Sequence, residues 1–288
     1  VGNDALAANT TGANNTAVGG QGVLDANTTG SQNTAIGGGA LSANTTASDN
    51  TAVGHASLIR NTTGTNNTAL GVDTLNFNTT ADNNTAVGRS ALAANTTGTE
   101  NTAIGSTALD ASTTGNYNTA VGYLSLSANT TGDKNTAIGK SALLSNTTAD
   151  NNTAIGESAL VTNTTGAGNT AIGHVALLSN TTASNTGASN VAVGTNALDA
   201  NTIGNYNVAI GENALTSSVS ASNNVAIGLQ CLENTTAGGN VGVGRNALNS
   251  NTTASFNTGI GTGVMSAITT GNHNVGIGYV TLDANQTG

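Results

Sequence analysis

The chain has 288 residues, of which 14 are acidic and 5 basic (formal net charge −9), with 2% aromatics and neither Trp nor Pro. So little positive charge excludes a nucleic-acid surface, and so little aromatic bulk excludes an ordinary spherical core, leaving a thin, extended one of Val, Ile, Leu and Ala. No run approaches the ~18 apolar residues of a membrane helix, and the lone Cys231 cannot form an internal disulfide.

The first complete motif, Asn15-Thr16-Ala17-Val18-Gly19, opens a repeat that occupies residues 1–288 as one array of 17 coils. Its closing Gly returns every 17 residues, as in Gly37, Gly54, Gly71 and Gly88, with one residue extra before Gly37, four extra before Gly194 and one fewer before Gly244. The consensus is NTAVGxxALxxNTTGxx. A fixed period of this length predicts an all-β chain, a parallel β-solenoid (β-roll) of stacked coils.

Within each coil the elements follow in order. The opening Asn is present throughout: Asn15, Asn33, Asn50, Asn67, Asn84, Asn101, Asn118, Asn135, Asn152, Asn169, Asn190, Asn207, Asn224, Asn240, Asn257 and Asn274. Stacked at about 4.8 Å, these side chains predict an Asn ladder inside a turn. A strand follows, whose first residue is Thr (Thr16, Thr34, Thr51) and, later in the chain, Val (Val191, Val208, Val225, Val241, Val275). Thr and Val share β-branching, so the position demands a strand and tolerates a hydroxyl.

The strand's third residue is always Val, Ile or Leu, and is expected in the core: Val18, Ile36 and Val53, together with the Leu of the return side, such as Leu41, Leu58 and Leu92. Between them stands Ala17, Ala35, Ala52, Ala69, Ala86 or Ala103, replaced only by Gly. A position never larger than Ala implies cover, and since a coil has one interior, the expectation is that this Ala face meets a sister chain, most simply in a homotrimer. The NTT that follows reads as a turn, and the charged residues fall at the variable corners.

Apparent chemical motifs have structural explanations. Gly19-Gly20-Gln21-Gly22 lacks the Lys-Ser/Thr and helix of a phosphate loop. His55, His174 and His273 lie in separate coils, no Asp recurs at calcium-array spacing, and no Ser, His and acid recur together. No enzyme activity, metal or cofactor is expected. N-glycosylation sequons occur at Asn9, Asn14, Asn61 and Asn95, with turn geometry as the simpler reason for Asn-Thr.

The strings Asn190-Val191-Ala192-Val193-Gly194, Asn207-Val208-Ala209-Ile210-Gly211 and Asn224-Val225-Ala226-Ile227-Gly228 resemble the NSVAIG motif of trimeric autotransporter adhesin heads and related haemagglutinin-type repeats. Similar repeats occur in phage tail fibres. The resemblance implies a homotrimer of left-handed parallel β-rolls serving surface attachment, although family head repeats are shorter and lack the recurrent NTT.

The expected function is therefore that of a structural segment of a longer extracellular, cell-surface or virion-tail fibre with an adhesive role. Its expected partners are itself, as a trimer or polymerised end to end, and a host surface or glycan, with no nucleic acid and no membrane insertion in this segment. Two alternatives remain: a phage tail-fibre shaft, and an ice-binding solenoid using the ranks headed by Thr10-Thr11, Thr28-Thr29 and Thr45-Thr46. Tyr117 and Tyr206 occupy equivalent corners several coils apart and form no continuous platform.

Overall fold

A computed structural model describes residue 2, residues 4–178 and residues 187–283. The chain forms two compact units, Val1–Thr148 and Ala149–Gly288. Each is a parallel β-solenoid, and among the described residues there is no helix. The first unit carries eight three-residue strands, from β1 (Thr16–Val18) to β8 (Thr136–Ile138); the second carries eight more, from β9 (Thr153–Ile155) to β16 (Val275–Ile277).

Within each unit successive strands pair in parallel and without slippage, as in Thr51↔Thr68, Ala52↔Ala69 and Val53↔Leu70. The register survives each change of coil length: Val225 pairs with Val241 across the short coil. Likewise β10 (Thr170–Ile172) pairs with β11 (Val191–Val193) although the lengthened coil between them includes residues 179–186, which lie outside the described residues. A strand of three residues has only one inward position, so a slip would turn its flanking residues inward, and the register is fixed.

Inward and outward are the reverse of the expectation from sequence. Ala35, Ala52, Ala69, Ala86 and Ala103 have no exposed surface within the single chain, and Ala17, in the first coil, is half-buried. Val18 and Ile36 instead point outward, 44% and 38% exposed, and Val53 is half-buried. Leu41, Leu58 and Leu92 are fully buried as expected.

The reason is the thinness of the coil, whose interior holds one large aliphatic side chain and otherwise small ones, such as Ala40 beside Leu41. Leu from the return side takes the large place, so the strand supplies Ala. A methyl added at Gly242, the strand's middle residue in one coil, would lie 2.6 Å from Cys231 Sγ and 3.3 Å from Leu232 Cδ1. The size limit at the Ala position is thus set by the chain's own return side and requires no neighbour.

Two backbone features make so tight a coil possible. The Gly closing each motif has a positive φ, +134° at Gly105, and a Cβ there would lie 2.5 Å from Gly122 O of the next coil. The inward Leu also lies in the left-handed region, at φ 50° for Leu58 and 51° for Leu92, a conformation uncommon for a bulky residue. Burial of the side chain, complete from Leu24 to Leu248 and at Met265, which replaces Leu in one coil, offsets that strain.

Candidate functional surfaces

Three sets of stacked columns result. The first is the outward sheet face. Its aliphatic column includes Ile36 (38% exposed), Ile104 (40%) and Ile138 (39%) in the first unit, and Ile172, Ile210 and Ile260 in the second. Beside it run half-buried Thr residues, replaced by Val191, Val208, Val225 and Val241 in the second unit. No strand residue in either unit is charged. Single exposed apolar residues are ordinary, whereas an aligned, charge-free column is a contact surface in form.

The second set is internal and polar, and the structure contains two Asn ladders where one was expected. In the expected ladder, Asn67, Asn84 and Asn101 each donate a backbone N–H to the Oδ1 of the Asn one coil earlier, at 3.0 Å. Their Nδ2 groups donate onward to turn carbonyls of the next coil: Asn67 to Ala81 O (2.8 Å) and Asn84 to Gly98 O (2.9 Å). Side-chain-to-side-chain bonds are secondary here, as in Asn84 Nδ2 to Asn67 Oδ1 at 3.3 Å.

The second ladder is built from the Asn of NTT. Asn44, Asn61, Asn78 and Asn95 each donate Nδ2 to the preceding Oδ1, at 2.8–3.1 Å, and each also donates to the carbonyl three residues ahead. Gly98 O thus accepts from both Asn84 and Asn95, which locks the corner. The signal for this ladder was the recurrence of that Asn in most coils. The ladder breaks where the repeat departs from Asn: Ser112 leaves Asn95 Oδ1 buried without a partner, and Ser218 does the same to Asn201 Oδ1.

These ladders decide the fate of the sequons. Asn61 and Asn95 are fully buried, Asn9 is half-buried and donates to Gly12 O at 2.9 Å, and Asn14 is exposed. The first Thr of NTT is also engaged: Thr62 Oγ1 donates to Thr79 O (3.0 Å) and Thr96 Oγ1 to Thr113 O (2.9 Å), which leaves the second Thr of each pair exposed.

The corners form the third set. Equivalent residues of successive coils touch there: the Arg60 guanidinium lies 3.8 Å from the Phe77 ring centroid, and Phe256 stacks on His273 at 5.2 Å and 22°. A cavity of about 490 Å³ opens beside Phe256, lined by Ser222, Asn223, Gly238, Gly239 and Ser255. Among the described residues no three of His, Cys, Asp and Glu are grouped to hold a metal. Burial pushes the Cys231 thiol up to about 12, so it stays protonated and serves as an apolar core atom.

No protein-family model matches the chain, and no curated protein resembles it significantly.

Proposed function

We propose that the chain is a structural segment of an extracellular or surface fibre, assembled with copies of itself as a homotrimer through the outward sheet face and performing no catalysis. One observation carries this reading: an outward column of exposed or half-buried Val, Ile and Leu recurs coil after coil with no charged residue among the strands.

The occupant is a second copy because only a partner with the same coil spacing can match that column along its whole length. In each unit, eight aliphatic side chains with the flanking Thr or Val present an area of the order of the ~800 Å² per partner buried in a stable interface. Where Thr gives way to Val191, Val208, Val225 and Val241, the face becomes wholly aliphatic, which favours burial over contact with water or ice. An ice-binding reading draws less support, since the first Thr of each NTT commits its hydroxyl to a neighbouring carbonyl. A phage tail-fibre shaft would use the same assembly.

Native mass measurement of the chain should give a trimer, and Ile104→Lys combined with Ile138→Lys should give monomers with an unchanged β-sheet circular dichroism spectrum. A folded wild-type monomer at micromolar concentration would end the proposal.

A further inference from the structure

We infer that the corner of the second unit between Asn223 and Phe256 is a binding site for a terminal hexopyranose of a glycan. The coil running from Leu229 to Gly244 is one residue short, and its corner carries Gly238-Gly239 where neighbouring coils carry Ser222-Asn223 and Ser255-Phe256. One side chain is therefore missing from the stacked column. Asn223 and Phe256 stand two coil spacings apart, roughly 9.6 Å, with glycine as the floor between them.

The walls of this slot have the chemistry a sugar ring needs. Phe256 is 61% exposed, and the stacked His273 backs one of its faces. Only the ring's Cδ1–Cε1 edge leans over Gly239, where a Cβ would come within 2.7 Å of Cδ1 and 2.8 Å of Cε1. The apolar C–H face of a pyranose packs on such a ring, and its hydroxyls need paired donors and acceptors at the edge.

Asn223 supplies both, since among the described residues no protein group bonds its side-chain amide. Ser222 Oγ accepts the Asn205 N–H at 3.0 Å and keeps its own proton to donate. Ser255 lines the same cavity. No charged group lines the slot, which favours a neutral sugar over a sialic or uronic acid. The site lies at the corner, so its test does not depend on the oligomeric state.

Saturation-transfer NMR of the whole protein with methyl β-D-galactopyranoside and methyl β-D-glucopyranoside checks the assignment. At least one should bind with a dissociation constant of about 1–10 mM, the range open to a ligand of that size. Phe256→Ala should weaken it at least ~tenfold, and Phe256→Tyr should keep it within about threefold. Gly239→Asn restores the side chain carried by Asn223; Phe256 can swing aside to admit it, the fold and melting temperature should hold, and binding should disappear. Binding of neither glycoside, or equal binding by the Gly239→Asn protein, would overturn the assignment.

Discussion

The 17-residue coils of the first unit and the 16-residue coil ending at Gly244 in the second build the same kind of coil from different lengths, and the difference shows where the fold is rigid. In the regular coils Asn44, Asn61, Asn78 and Asn95 continue the inner ladder. In the short coil the missing residue shifts the NTT by one, so Thr235 is buried at the ladder position and Asn234 is exposed. The strands on either side keep their register, with Val225 opposite Val241. Inward positions are held, and corners absorb the change.

Volume is held as well. Where the strand residue shrinks from Ala to Gly242, its facing residue grows from Ala to Cys231, and Gly259 and Gly276 likewise face Val264. The interior is packed closely enough that a methyl lost on one wall is returned from the other.

The comparison can be broken most severely in the regular coils. Asn84→Ala removes the acceptor for the Asn101 N–H and the donor to Gly98 O. It should cost on the order of 2–4 kcal/mol in the stability of the first unit, measured by chemical denaturation.

A smaller effect sharpens the volume argument. Gly242→Ala places its methyl against Cys231 Sγ and should cost about 1–3 kcal/mol. The same change combined with Cys231→Ala should recover most of that loss, with a coupling energy above ~0.5 kcal/mol in a double-mutant cycle. Additive losses would mean that the two walls do not share volume.

The smallest expected effect is a gain. Ser112→Asn completes the inner ladder and gives the orphaned Asn95 Oδ1 a donor, which should raise stability by roughly 0.5–1.5 kcal/mol, visible as a higher melting temperature. A loss would show that the ladder position in that coil cannot hold an amide.

Much of this was legible before any coordinates. Period 17 gave the coils, the β-branched flanks gave the strands, and the invariant Asn gave one ladder. The second ladder has a signal too, but NTT has the composition of a turn, which masks it. The direction of the strand was not legible, because alternation separates two faces without saying which is inside. Nor was the left-handed backbone at Leu58 and Leu92, since nothing in the residue type suggests it.

By itself, then, the sequence determined the repeat, its register and the two-face pattern, since these depend on spacing and side-chain shape alone. Only the tertiary structure decided that Ala faces Leu inside while Val and Ile face outward. That choice rests on the thickness of the closed coil, a distance set jointly by the strand, the Leu turn and the Asn-locked corner.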